Sequence, residues 1–469
     1  MGGSPCARNT RLNLSNRFRW VFCQLEILRD CLPPSVRRTL NELPESLDET
    51  YERILKEIKK PNRDHARRLL QCLVVAIRPL RVGELAEVLA VDFDDADGIP
   101  KLNPNWRWQD EEQALLASCS SLIAVVESDE SRIVQFSHFS VREYLTSTRL
   151  ANSSGEVSRY HIDLEPAHTI LGQACMSILL RSDDRDEQSG DGVGNNSPLS
   201  RYAAERWVAH AQFEHVSLNL RTSMEYLFDL DMPYFAAWCE LYDIDPYRPK
   251  LPFVMFTPAV IANRGTPLYY AALCGFQDLV EYLIVKYPQH VDASGGCYET
   301  PLVAALAGKH FQTAELLRLG GADPNVQCYD GNTPLHSAVC YGNVEMVQAL
   351  LNLEADVNIR NKNSSSPLNY IPDIQGYSEV LNKLKSRQSL ANVARLLLDR
   401  GADINSRNDE GSTPSHSATI MGRIEVIRLL LERGADVGVE DMQGRTPFSL
   451  AKEHDFDDIM KLLSEYGAE

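Results

Sequence analysis

The chain has 469 residues, a formal charge of −18, 44% apolar and 24% charged residues. That length suits two to four domains, and the composition is ordinary for folded soluble protein. No long basic run offsets the negative charge, which argues against non-specific nucleic-acid or anionic-membrane binding, since both rest on clustered Lys and Arg.

In chain order, Phe18 to Asp30 reads as an amphipathic helix stopped by Cys31-Leu32-Pro33-Pro34, and its apolar part is too short and too charged to span a bilayer. Met1-Gly2-Gly3 is followed by Cys6 where an acylation signal needs Ser or Thr. Ser46 to Lys59, Ala66 to Ile77 and Leu80 to Leu89 read as helices. Ser121-Leu122-Ile123-Ala124-Val125-Val126 and Ile133-Val134-Gln135-Phe136 read as two strands across a short polar turn, and helices followed by a hairpin describe a winged helix over 61–150. Helical segments at 167–181 and 202–212 follow, separated by a flexible, solvated Asp/Gly/Ser/Asn-rich loop at 182–197, within a connector over 151–259. The 11 cysteines, an odd number without a C-x-x-C pair, read as reduced thiols of an intracellular protein, cytoplasmic or nuclear.

Arg17 to Leu25 and Leu43 to Leu55 resemble the segment that closes the NACHT NTPase domain of fungal NACHT–ankyrin proteins of the NOD-like class. Phe136-Ser137-His138-Phe139-Ser140-Val141-Arg142-Glu143-Tyr144-Leu145 resembles the winged-helix signature of that class, and Tyr202 to Ala211 a helix found after it. The resemblance makes 1–60 a helical remnant of the NACHT end. It also places His138 where the family's histidine meets the β-phosphate of ADP, either as a relic or as a site acting on a nucleotide domain supplied in trans. The phosphate cradle G-x-x-x-x-G-K-[ST] is absent from the sequence, so autonomous NTP hydrolysis is not expected. No nucleophile elbow, H-E-x-x-H or Cys-His metal spacing occurs, which leaves no expected catalytic residue, metal or cofactor and no small-molecule substrate.

From residue 260 onward a repeat takes over. Thr-Pro occurs at Thr266, Thr300, Thr333, Thr413 and Thr446, with Ser366-Pro367 between, at steps of 34, 33, 33, 47 and 33. A 33-residue period around Thr-Pro marks a helical solenoid, because threonine caps a helix start and proline is tolerated in the first turn. Val344, Val347, Leu350 and Leu351 line one apolar face that must stack on the next unit, and phrases such as Arg400-Gly401-Ala402-Asp403-Ile404-Asn405 end the second helix and turn outward into a finger. The fold class expected is mainly α, a winged-helix-type region followed by this solenoid.

This pattern resembles the ankyrin repeat family, in five or six units over 260–469. Tyr269, Val303, Asn369 and Ser449 stand where the family has histidine, Tyr298 and Ser364 where it has a turn glycine, while His336 and His416 keep the histidine that in this family ties loops together. The fourth unit carries 14 extra residues within 371–390, read either as a docking element or as a tolerated surface bulge. Family geometry puts partner contacts at Gln327, Tyr329, Asp330, Asn332, Ser337, Arg360, Lys362, Asn363, Tyr370, Arg407, Asp409, Glu410, Glu440, Met442 and Arg445. Arg360, Lys362 and Arg407 on adjacent fingers read either as a seat for an acidic or phosphorylated partner segment or as three solvated charges.

Two functions follow. One is a non-enzymatic adaptor or regulator that binds proteins, such as a transcription factor or pathway enzyme. The alternative is the truncated C-terminal half of an NTP-driven, immunity-like switch, cut short by evolution or by a wrong start codon, with an upstream P-loop as the feature that separates the two readings. DNA binding by the winged helix ranks third on an acidic chain.

Overall fold

The computed structural model describes residues 46–93, 99–119, 121–128, 131–153, 155–181, 197–245, 264–328, 330–340, 342–370 and 387–468. The expected helix at 18–30, nearly all of the loop at 182–197 and most of the insertion at 371–390 lie outside them. The chain divides between Ile244 and Asp245 into two units.

In the first unit, α1 (Leu47–Glu57) starts where the Ser46 hydroxyl accepts the Glu49 amide at 3.2 Å. Helix α2 (Arg63–Val75) buries Ala66, Leu69, Leu70, Cys72 and Val74. The helix expected from Leu80 begins later, because Leu80–Arg81 form a strand, β1, and α3 spans Val82–Leu89. Glu84 sets that start. Its carboxylate accepts the Arg81 amide at 2.8 Å and holds the Arg78 guanidinium through both oxygens, at 2.7 and 2.8 Å, so the first turn closes at Val82.

Strands β2 (Val91–Asp92) and β3 (Lys101–Leu102) pair as a small ribbon, and α4 covers Glu111–Cys119. The hairpin is formed by β4 (Ile123–Ser128) and β5 (Ser131–Phe136), with Ile123 opposite Phe136. β1 adds to β5 with Leu80 opposite Val134, giving the antiparallel order β1-β5-β4 of a winged helix. After it come α5 (Phe139–Leu145), α6 (Thr148–Ala151), α7 (Leu164–Leu179), α8 (Ser200–Ala211), α9 (Val216–Asn219), α10 (Arg221–Leu227) and α11 (Tyr234–Leu241). Trp207 and Trp238 meet edge to face at 5.2 Å in the core beneath α8 and α11, where the Trp238 indole N–H donates to the Ala204 carbonyl at 3.1 Å.

The second unit is built from helix pairs: α12 (Pro267–Cys274) with α13 (Gln277–Lys286), α14 (Pro301–Ala307) with α15 (Phe311–Leu319), and α16 (Pro334–Cys340) with α17 (Val344–Asn352). After the insertion come α18 (Arg387–Asp399), then α19 (Pro414–Ile420) with α20 (Ile424–Glu432), and α21 (Pro447–Glu453) with α22 (Asp457–Glu465). Each Thr-Pro opens a first helix as expected, and Thr266, Thr300 and Thr446 accept the amide three residues on. In the fourth unit the first helix shrinks to a 3-10 turn, Pro367–Tyr370. Val347, Leu350 and Leu351 are buried between neighbouring units, each contributing roughly 1.5–3 kcal/mol by leaving water.

The finger turns require a left-handed residue. Gly331, Gly411 and Gly444 supply it with φ of 74°, 74° and 75°, and Ser364 is forced into the same region at 55°. In the first finger it is Glu299, at 65°, rather than Tyr298 that takes this conformation, and the inner bond of the turn moves with it, the Glu299 amide donating to the Gly296 carbonyl at 3.5 Å where the Gly331 amide donates to that of Cys328 at 2.9 Å. Ser364→Gly is expected to raise the stability of the second unit by about 0.5–1 kcal/mol in urea unfolding, by removing the Cβ clash of a left-handed residue. Gly331→Ala is expected to cost more than Gly444→Ala in the same assay. A Cβ at 331 would sit 2.7 Å from the Lys362 amide nitrogen, whereas at 444 it meets nothing within 4 Å.

Candidate functional site

The fingers of the second unit are held in line by side-chain oxygens that accept backbone amides of the next finger. Asp292 accepts the Asp323 amide at 3.0 Å, Asn325 that of Asp356 at 2.7 Å, Asn358 that of Asp403 at 2.8 Å and Asn405 that of Asp436 at 3.0 Å. Within a finger, each Asp accepts the amide two residues on, as Asp356 does from Asn358 at 2.9 Å. At the tips a second set of bonds is purely main-chain: Lys362 amide to Asp330 carbonyl at 3.1 Å, Asp409 to Asn363 at 3.0 Å and Met442 to Glu410 at 2.9 Å.

Beneath the fingers lie the histidines. His336 Nδ1 accepts the Thr333 amide at 3.1 Å and lies 2.9 Å from its hydroxyl, while Nε2 reaches the Ser365 carbonyl of the next finger at 3.0 Å. His416 repeats this with Thr413 at 3.2 and 2.8 Å and the Arg445 carbonyl at 3.0 Å. A carbonyl on Nε2 fixes the Nε2–H tautomer, leaving Nδ1 as acceptor. Burial pushes both imidazoles below their ordinary pKa. These groups tie loops, as the resemblance implies.

Of the substitutes for histidine, Asn369 and Tyr269 make ties to other turns by other chemistry, while Ser449 bonds within its own helix start. Asn369 Oδ1 accepts from the Ser366 amide at 3.1 Å and its hydroxyl at 2.8 Å, and Nδ2 donates to the Ser406 and Ser412 carbonyls at 3.1 and 3.4 Å. The Tyr269 hydroxyl donates to the buried Asp245 carboxylate at 2.9 Å and accepts the Tyr298 amide at 3.2 Å. Ser449 Oγ accepts the Thr446 amide at 2.9 Å.

Cys328 is a residue whose role the sequence reading missed. Asn361, Asn408 and Asp441, at the same place in later fingers, each accept the amides two and four residues on. The Cys328 sulfur accepts those of Asp330 and Asn332 in the same way. Alignment of the finger turns alone would have flagged the cysteine as the odd member of an Asx position.

The candidate contact residues divide into two kinds. Arg360 donates through Nη1 to the Arg407 carbonyl at 3.1 Å, Arg407 through Nη2 to the Glu440 carbonyl at 2.6 Å, and Arg445 is clamped on Asp441 at 2.8 and 2.9 Å. The Arg360 and Arg407 guanidiniums therefore staple neighbouring turns while Arg445 stiffens its own, and Gln327 Nε2 bridges the Gly331 and Arg360 carbonyls at 2.9 and 3.0 Å. Tyr370 is half-buried, its hydroxyl accepting from Asn332 Nδ2 at 3.1 Å and its ring edge-on to His336. Asp330, Lys362, Asp409, Glu410, Glu440 and Met442 remain exposed, Met442 at 77%. Asn363 is exposed too, Ser337 is partly exposed, and Tyr329 lies outside the described residues.

In the first unit, His138 is the N-cap of α5. Its Nδ1 accepts the Ser140 amide at 3.3 Å and lies 2.6 Å from Ser140 Oγ, which in turn pairs with the Tyr51 hydroxyl of α1 at 2.8 Å. The Ser140–Tyr51 bond thus joins α5 to α1, and His138 holds Ser140 in place from the N-cap. None of the described cysteines is in a disulfide, and Cys72 and Cys119 are buried with their thiols pushed up to about 12 by burial. Among the described residues no helix is long and apolar enough to cross a membrane, and no group of side chains is arranged to hold a metal ion.

Comparison with known proteins agrees with this geometry. A profile described as ankyrin repeats (3 copies) matches residues 268–361, 302–392 and 381–469. The second unit is an ankyrin-repeat array. Residues 51–155 match the winged-helix domain of GPI inositol-deacylase, which is of the NACHT-associated type. Azaphilone pigments biosynthesis cluster protein L of Monascus ruber is 30% identical over 303 residues, 61% of each chain. Alpha-latrocrustotoxin-Lt1a and alpha-latroinsectotoxin-Lt1a of Latrodectus tredecimguttatus are 29% and 31% identical over 162 and 165 residues, 34% of this chain and 10% of each toxin. The match therefore spans about three fifths of the fungal relative and a tenth of the toxins.

The array's histidines predict an acid response. In the folded chain they stay neutral below the ordinary imidazole value of about 6.5, whereas in the unfolded chain they protonate there. Stability should be fully present above pH 6.5 and fall as the pH drops from 6.5 toward the lower folded values, by up to ~1.4 kcal/mol per pH unit for each histidine. His416→Asn, imitating Asn369, should weaken that slope in urea titrations at pH 7.5 and 5.5. It should also cost less than His416→Ala, for which about 1–3 kcal/mol is expected from orphaned amide and carbonyl groups.

Proposed function

We propose that this chain is a non-enzymatic adaptor or regulator whose ankyrin array captures a protein partner through its finger tips. The observation that carries the reading is the division of labour on the fingers. Amide-accepting Asp and Asn side chains and the Arg360, Arg407 and Arg445 guanidiniums fix the turns, while Met442, Glu410, Asp330 and Lys362 are exposed on that support. Tyr329, Arg360, Tyr370, Arg407 and Arg445 belong to the proposed surface as well, the three arginines chiefly by holding its shape. Lys362 beside Arg360 and Arg407 supports a partner segment that is acidic or phosphorylated. The likeness to a pigment-biosynthesis cluster protein supports a regulator or enzyme of a biosynthetic pathway as that partner, inside the cell.

A second reading is favoured by the NACHT-associated winged helix. In it the chain is the C-terminal half of a nucleotide-driven switch: 1–60 closes the NACHT domain, 61–150 is the winged helix, 151–259 connects to the array at 260–469, and His138 meets the nucleotide.

The full chain and its triple variant Lys362→Glu, Glu410→Lys, Met442→Glu, used as baits in extract of the source cells, test the first reading. All three side chains are exposed, so the melting temperature should stay within about 2 °C while recovery of the partner falls at least about tenfold. Equal recovery by the two baits would place the contact elsewhere.

A further inference from the structure

A buried chain of polar groups runs through the first unit, away from the fingers and from His138. The Ile77 amide, just beyond α2, donates to the Tyr202 hydroxyl in the first turn of α8 at 3.3 Å. That hydroxyl lies 2.9 Å from His210 Nε2 in the last turn of α8, and His210 Nδ1 lies 2.8 Å from His168 Nδ1 in the first turns of α7. His210 and Tyr202 are fully buried, and His168 is partly exposed with its ring stacked on Phe213 at 4.2 Å.

Only one placement of hydrogens gives each of them an acceptor. Ile77 donates to Tyr202, Tyr202 donates to His210 Nε2, and His210 Nδ1–H donates to His168 Nδ1, leaving His168 Nε2–H toward solvent. Every acceptor inside is then occupied, so a further proton cannot simply be added. For His168 to become an imidazolium, its Nδ1 must donate to His210 Nδ1. His210 then carries its single hydrogen on Nε2 and donates to Tyr202. The Tyr202 hydroxyl now receives two hydrogens, and its own has no acceptor in a buried site.

The surroundings oppose a second cation as well. The Arg78 guanidinium sits 4.8 Å from the Tyr202 ring centroid, held by Glu84, with Glu205 of α8 acting on Arg78. α2 presents the neutral thiol of Cys72 and α7 that of Cys175. α9 has no ionisable side chain, and α11 brings the buried Cys239, with Glu240 exposed. Burial holds both imidazoles below their ordinary pKa, His210 at about 3.

We propose that Tyr202, His210 and His168 form an acid-sensitive latch, in which uptake of one proton by the histidine pair reverses the hydrogen-bond chain and releases α8 from the end of α2. In the neutral state the chain pins both ends of α8, one to the segment that leads into the winged helix and the other to α7. Acidification keeps the bond to α7, reversed in direction, and removes the attachment to the Ile77 segment through a single titration. The device regulates the seam inside the first unit and is independent of whichever partner the fingers hold.

The test is hydrogen exchange of the full chain at pH 7.5 and 5.5, corrected for intrinsic rates, comparing the wild type with His168→Gln. A glutamine carbonyl accepts from His210 Nδ1–H but takes up no proton. Wild-type amides of Ile77 and of 200–211 should lose about tenfold or more of their protection at pH 5.5, while the variant loses none. Equal loss in both proteins, or no loss in the wild type, overturns the latch. If the variant fails to fold, NMR titration of the wild-type histidine ring protons decides. One proton taken up by the pair with a midpoint below 6.5, moving Tyr202 with it, is expected. Titration of His168 at the free-imidazole value without change at Tyr202 overturns it.

Discussion

The second unit depends on one recurrent contact, a short carboxylate or carboxamide oxygen accepting the backbone amide at the root of the following finger. Helix stacking alone fixes the apolar faces but leaves the turns free to swing, since a turn buries little. The contact from Asp292 to Asp323, Asn325 to Asp356, Asn358 to Asp403 and Asn405 to Asp436 removes that freedom with one hydrogen bond per step. Two buried histidines then brace the turns of Ser365 and Arg445 from below. Each bond has a net worth of only about 0.5–1.5 kcal/mol. Repetition, rather than the strength of any one, gives the fingers a common direction.

The solenoid was legible because its start signal is chemical. Thr-Pro at a 33-residue period leaves few alternatives, and the helices open at those prolines. The histidine's role was legible too, through the family. Harder to read was how chemically different residues fill one structural place. Asn369 and Tyr269 show no helical periodicity that would announce a tie, and Cys328 acts as an acceptor only because the turn brings two amides to it. Arg360 and Arg407 were legible as neighbours but not as staples, because a sequence gives the position of a guanidinium and not the carbonyl it reaches.

In the first unit the hairpin was read closely, whereas the join before it was not. Leu80 to Leu89 has the apolar spacing of a helix, yet two of its residues were taken by the sheet. A buried Glu84, bonded to Arg78 and to the Arg81 amide, decides the matter locally. Glu87, also buried, performs a similar service one turn later by holding the Arg107 guanidinium at 2.5 Å together with the Ser197 hydroxyl and the Leu199 amide at 2.5 and 2.9 Å. Two carboxylates on one short helix thereby fasten three separate stretches of chain. Burying such charges is tolerated because each is paired and hydrogen-bonded.

The bond from Asp403 to Asn358 joins residues 45 apart, where the equivalent bonds elsewhere join residues 31 apart, yet it is 2.8 Å long against 2.7 and 3.0 Å for its neighbours. The register of the array is thus uncoupled from the length of chain inside its fourth unit. A gene encoding this scaffold could acquire or shed residues at that point without altering the pitch of the rest, which makes it a natural port for diversification. Any new segment entering there would be carried by a frame already closed on either side of it.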